Sequence, residues 1–115
     1  MISKTMEKAL NRQVNRELYS AYLYLAMSAY FESAGMKGFA HWMRLQAAEE
    51  KAHGMRIYDH IIARGGTVAL AEIEAPKASW PSAGKVFEEV LAHEKKVTGM
   101  IHDLVELANK EKDHA

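Results

Sequence analysis

The fold class this sequence predicts is all-α, an up-down helical hairpin followed by a long crossover to a third helix, and three observations carry that reading. Glycine and proline are sparse, and their clusters separate long runs of helix-compatible residues. Within those runs apolar side chains return every three or four positions, the period of a helix with one buried face. No segment alternates apolar and polar residues over the length of a strand. With 115 residues and 49% apolar composition, residues 1–115 are expected to form one domain with a modest core.

Each element follows from the same punctuation. The first run, from about Ser3 to Ala34, contains neither glycine nor proline and stops at "GMKG", where Gly35 and Gly38 bracket a turn of the kind that closes one helix and opens another. The second runs from about Phe39 to Arg64, broken only by Gly54, and ends at the Gly65, Gly66 pair. A turn this short makes the two helices antiparallel. From Thr67 to Pro81 the chain reads "TVALAEIEAPKASWP", which holds both prolines and no sustained helical period. A connection of about 15 residues exceeds the usual loop, so it is expected to cross the length of the bundle, with Trp80 pinning it down. The third run, from about Ser82 to Lys112, then lies roughly parallel to the second.

Composition excludes several classes of function. Fifteen basic and fifteen acidic residues give zero formal net charge, so neither nucleic acid nor an anionic membrane surface is an expected partner. With no cysteine there is no disulfide and no thiolate metal site, which suits a reducing compartment and leads to a cytoplasmic expectation. "MISKTMEKALNRQ" is charged from the start and lacks the apolar core of a secretory signal. The most apolar stretch, "AYLYLAMSAYF", is too short to span a bilayer.

The helical period also nominates the inward faces. They are Met6, Leu10, Glu17, Ala21, Tyr24 and Phe31 in the first run, and Phe39, Met43, Gln46, Glu50, His53, Ile57 and Ile61 in the second. In the third they are Phe87, Val90, Glu94, Val97, Ile101, Leu104 and Ala108. Each stripe carries a glutamate near its middle. A single glutamate on an apolar stripe is usually an edge residue reaching for solvent. Three at one depth repel each other and lose hydration, a cost of several kcal/mol unless something compensates.

The segment "AAEEKAHG" supplies the compensation. Glu50 and His53 lie one turn apart on the inward stripe, while Glu49 is rotated by about 100°. A carboxylate and an imidazole at i and i+3 can reach one metal ion, and two helices donating such groups can hold a pair. Oxygen donors with one imidazole suit Fe(II), Mn(II) or Zn(II), and the absence of sulfur argues against a purely structural zinc. Glu17, Glu50, His53 and Glu94 are therefore read as ligands of a redox-active di-metal pair. Tyr24, two turns beyond Glu17, is open between core packing and a redox role, and Glu49 between a solvated face and a ligand. His41, His60, His93, His102 and His114 read as surface residues, and Trp42 as packing.

At this point a resemblance is specific. "NRELYSAYLYLAMSAYFESAGMKGFAHWMRLQAAEEKAHGMRIYDHIIARGG" followed by "AHEKKVTGMIHDLVELANKEKDHA" resembles ferritins of the prokaryotic, non-haem type, over essentially all 115 residues. The family pattern, a Glu in the first helix, ExxH in the second and a Glu in the third, falls on Glu17, Glu50 with His53, and Glu94. The resemblance implies a ferritin-like helical bundle in which Glu17, Glu50 and His53 hold one iron and Glu50 bridges to a second, also held by Glu94. It implies that Tyr24 is the family's central tyrosine and Glu49 an accessory third-iron ligand. The implied function is iron storage with ferroxidase activity: Fe(II) is oxidised by dioxygen or peroxide and kept as ferric mineral in a homo-oligomeric shell, usually of 24 subunits. Haem is not expected, because bacterioferritins place a methionine directly after the bridging glutamate, where this chain has Lys51. Rubrerythrins need cysteines, which are lacking here.

The family's fourth long helix, which brings a further glutamate near the second iron, is not in this sequence. Glu106 cannot replace it, since it stands ~18 Å beyond Glu94 along the helix axis. Three glutamates bring three negative charges against the four positive charges of two divalent ions, leaving the second ion short of ligands. The expectation is a subunit that is truncated, incompletely represented or completed by another chain, with a groove at Val97 and Ile101 open to association. Two other readings stand beside it: a helical assembly module without catalysis, and another di-metal oxidase of the superfamily, which would need a substrate cavity beside the metals.

Overall fold

The computed structural model describes residues 1–113 and consists of α1 (Lys4–Ser33), α2 (Lys37–Ala63) and α3 (Ala83–Lys110), with no strand among the described residues. Local chemistry fixes the ends. Ser3 and Ser82 cap α1 and α3, their hydroxyls accepting from the amides of Met6 at 3.1 Å and Lys85 at 3.2 Å. Gly35 at φ +76° and Gly65 at φ +80° close α1 and α2 in the left-handed conformation that glycine adopts without strain. Behind them the Met36 amide donates to the Phe31 carbonyl and the Gly66 amide to the Ile61 carbonyl, both at 2.9 Å.

Gly54 does not interrupt α2. A Cβ built there would lie 3.3 Å from the Glu17 Cβ and 3.5 Å from Leu18 Cδ2, so the missing side chain lets α1 and α2 approach closely at mid-length. The two are antiparallel: the Ile2 amide donates to the Arg64 carbonyl at 3.1 Å near one end, and Ser28 Oγ to the Ala40 carbonyl at 2.7 Å near the other. α3 is antiparallel to α1 as well, since Phe87 meets Phe31 (ring centroids 5.7 Å) while Glu111 accepts from the Ser3 hydroxyl. It therefore runs parallel to α2, as the long connection requires. α2 and α3 flank α1 in a body of 50 × 21 × 21 Å and meet where Phe87 packs on Phe39 at 5.1 Å and Trp42 at 6.0 Å.

The crossover tracks α1. Asn11 brackets it, its amide donating to the Thr67 carbonyl at 3.0 Å and its carbonyl accepting from the Ala69 amide at 2.8 Å. Trp80 does pin its far end, buried against Tyr30 and donating to Glu89 at 3.1 Å.

Two apolar clusters fill the interior. One gathers Leu23, Tyr24, Met27, Phe31, Met43, Trp80 and Val86, and the other Ile2, Met6, Leu10, Val14 and Ile61. Between them lies a buried polar layer of Gln13, Glu17, Ser20 and Glu50. The expected inward stripe of α3 is only half covered: Phe87, Val90, Val97, Ile101, Leu104 and Ala108 are half-buried, and the helix's single buried residue, Val86, lies outside that stripe. Phe39 is 45% exposed, Trp42 is exposed too, and Gln46 and Ile57 are half-buried. The physical reason is common to all. Among the described residues nothing covers the groove between α2 and α3 on the side away from α1. Ala21 departs differently, half-buried against an apolar depression on the outer face of the α1–α2 pair.

Candidate metal centre

Glu17 enters the polar layer from the middle of α1, its side chain 3% exposed. Its Oε1 accepts from Gln13 Nε2 at 3.0 Å, one helical turn earlier, while its Oε2 is buried with no hydrogen-bond partner among the described residues. Glu50 arrives from α2, also buried. His53, one turn on, aims Nδ1 at both, 3.5 Å from Glu50 Oε2 and 3.9 Å from Glu17 Oε2. One donor atom from each of the three lies within 4.8 Å of the others. That convergence is the i, i+3 geometry of α2 set against the close approach at Gly54.

Electrostatics mark the same spot. Burial first, then the adjoining Glu17 carboxylate and the charges of Glu94 and Glu49, push the Glu50 carboxyl up to about 8. An orphaned carboxylate oxygen and a neighbouring carboxyl that holds its proton to near-neutral pH are what a divalent cation would resolve, by taking the free lone pair and displacing the proton. The donor set fits a borderline cation such as Fe(II).

Glu94 stands on the α3 wall, half-buried, outside the three-residue set. Its Oε1 accepts from the Tyr24 hydroxyl, and its charge still reaches Glu50. Tyr24 is fully buried, and burial first, then the bond to Glu94 and the charges of Glu94, Glu50 and Glu17, drive its hydroxyl far above the usual tyrosine range. Between the two walls runs a 460 Å³ cleft lined by Glu17, Glu50, His53, Glu94, Val97 and Ile101, among others. Of the residues expected on the inward faces, Glu17 and Glu50 are buried and Glu94 half-buried, but His53 is 45% exposed, because the groove above the cleft is open. Glu49 is exposed and affects Glu50 only through its charge.

His93 is half-buried against α1 and not exposed as expected. Its Nε2 is 2.7 Å from Ser20 Oγ, its ring meets Tyr24 edge-on (centroids 5.8 Å) and Tyr19 at 5.9 Å, and burial lowers its basicity. His41 and His102 are exposed, although His102 lines the cleft, and His60 is half-buried. His114 lies outside the described residues. Gln13 and Ser20 were not singled out by the sequence. Gln13 fills the gap between Leu10 and Glu17 at helical spacing, and Ser20 that between Glu17 and Tyr24, so period alone could have placed both in the polar layer.

Known proteins similar to this chain in sequence and fold are ferritins. A family model described as "Ferritin-like domain" matches residues 7–115. "Bacterial non-heme ferritin" from Bacteroides fragilis (strain 638R) is 43% identical over all of this chain and 72% of its own length, and that from Staphylococcus saprophyticus is 43% identical over all of this chain and 69% of its own. Among solved structures, a "novel open pore ferritin" from Archaeoglobus fulgidus superposes with a TM-score of 0.96 at 52% identity, over 98% of this chain and 70% of that one. A ferritin from Chlorobium tepidum gives 0.95 at 40% identity, over 99% and 70%.

Proposed function

The chain belongs to the ferritin family, and from that premise we propose that it oxidises Fe(II) to Fe(III) at the carboxylate cleft and stores the product as ferric mineral in a homo-oligomeric shell of 24 copies in the cytoplasm. No helix among the described residues is long and apolar enough to cross a membrane. The observation that carries the reading is the convergence of Glu17, Glu50 and His53 around an unpartnered carboxylate oxygen.

Glu17 Oε2, a Glu50 oxygen and His53 Nδ1 take the first ferrous ion, and Glu50 gives up the proton that burial has kept on it. Glu50 bridges toward a second ferrous ion on the side of Glu94, whose carboxylate the Tyr24 hydroxyl orients. Each iron yields one electron: two reduce dioxygen to peroxide, or peroxide to water, with two protons taken up. Hydrolysis of the ferric product then returns protons to solvent. Glu49, exposed beside Glu50, serves as an accessory ligand for iron on its way out.

The test is stopped-flow absorbance of ferric product after Fe(II) is mixed with the protein in air. The double substitution Glu50→Ala with His53→Ala is expected to reduce fast oxidation to the uncatalysed background while the far-ultraviolet circular dichroism keeps its helical amplitude. Unchanged rates would remove both residues from the chemistry.

A further inference from the structure

Gln13 is 1% exposed and sits in the polar layer between the cluster of Ile2, Met6, Leu10, Val14 and Ile61 and the Glu17 carboxylate. A glutamine there gives up the hydration of a primary amide, a cost that a leucine at the same position would avoid. Its Nε2 donates to Glu17 Oε1 at 3.0 Å, and since a carboxylate can only accept, the orientation of the amide is settled by that contact. The other oxygen, Oε2, is left buried and without a hydrogen bond, 3.9 Å from His53 Nδ1. The two oxygens of Glu17 are thus made inequivalent by one neighbour.

We infer that Gln13 is a positioning residue: by occupying Oε1 it makes Glu17 a one-oxygen ligand and aims Oε2 at the metal position. The inference rests on the metal-binding reading of the site. The residue type is informative. A lysine or arginine in place of Gln13 would put a fixed positive charge beside the carboxylate and compete with the incoming cation, whereas a glutamate would add a further buried negative charge. A neutral amide holds the carboxylate without doing either. Its placement one turn earlier on the same helix makes the hold independent of how α2 and α3 move.

Gln13→Met tests this, because methionine keeps the length and removes the donor, with Gln13→Leu as a second variant and Met27→Leu as a core control remote from the polar layer. Co(II), titrated without oxygen into the full chain, is the probe, since the intensity of its visible bands falls as coordination number rises. With one equivalent of Co(II) the parent is expected to give a single coordination spectrum. Gln13→Met is expected to bind Co(II) about tenfold more weakly or worse, as loss of an outer hydrogen-bond partner does at metal sites, and to show weaker bands as Glu17 turns to chelate through both oxygens. The control is expected to change neither quantity. If the Gln13 variants keep the parental helicity, spectrum and affinity, the assignment is overturned while the metal site stands. If the parent itself binds no Co(II), or binds it equally well after Glu50→Ala with His53→Ala, the metal reading fails first and the role of Gln13 with it.

Discussion

Glu50 couples the metal site to pH through a group that is easier to keep protonated in the folded chain than in the unfolded one. Its carboxyl moves from an ordinary 4.5 to about 8, with burial as the largest cause. Between those values the folded protein binds a proton that the unfolded protein has released, so the stability of the metal-free chain falls as pH rises through that window. Thermal melts of metal-free protein are expected to show a midpoint that declines from pH 5 to pH 8, a window set by that upward shift. Glu50→Gln, which is neutral throughout, should flatten the decline and gain about 1–2 kcal/mol at the alkaline end. A parental midpoint that climbs across this range would mean that Glu50 is ionised in the metal-free fold. At this scale the site was partly legible. Glu17, Glu50 and His53 follow from helical period plus the cost of burying charge, both of which are local. His93 was misread because its burial depends on Ser20 and Tyr24 of another helix, and nothing in "AHEKK" encodes that.

Helix stops were readable in the glycines, Gly35 and Gly65, which take positive φ, whereas the capping by Ser3 and Ser82 emerges only in the structure. Gly54 shows the limit of such reading. Sequence alone presents a helix-weakening residue, whereas the structure assigns it the contact distance between α1 and α2 beside Glu17. Two glycine substitutions separate these roles. Gly54→Val should cost about 1–3 kcal/mol by overpacking, and should weaken divalent-metal binding because Glu17 is displaced along with its helix. Gly99→Ala lies in the interior of α3 with nothing within 4 Å of the new Cβ. It should stabilise by about 0.5–1 kcal/mol through helix propensity alone. Urea melts measure both, and a neutral Gly54→Val would show that the helices can part at no cost.

Across the whole molecule, stability is unevenly distributed. α1 is packed on two sides, whereas α3 buries only Val86 and is otherwise held by half-buried contacts and by its ends, where Ser3 bonds Glu111 and Arg64 pairs with Asp113 at 2.7 Å. The sequence conveyed the number and order of helices, because period and punctuation are properties of single segments. The open groove at Val97 and Ile101 was expected from the family resemblance and not from the stripe itself, because Phe87 through Ala108 has the pattern of a buried face whether or not anything packs on it. That open architecture makes the role of Glu94 separable from those of Glu17, Glu50 and His53. Metal-free protein should exchange the amides at the middle of α3 faster than those of α1, since few buried contacts oppose local opening there. A divalent ion held only by Glu17, Glu50 and His53 would tie α1 to α2 and leave α3 as it was. An ion shared with Glu94 would tie α3 down as well. Hydrogen exchange followed by mass spectrometry with Zn(II), which binds without oxidation, is therefore expected to show protection rising in both α2 and α3. In Glu94→Ala the gain in α3 should vanish while that in α2 persists. Protection of α3 that survives Glu94→Ala would place the second ion elsewhere and exclude Glu94 from the centre.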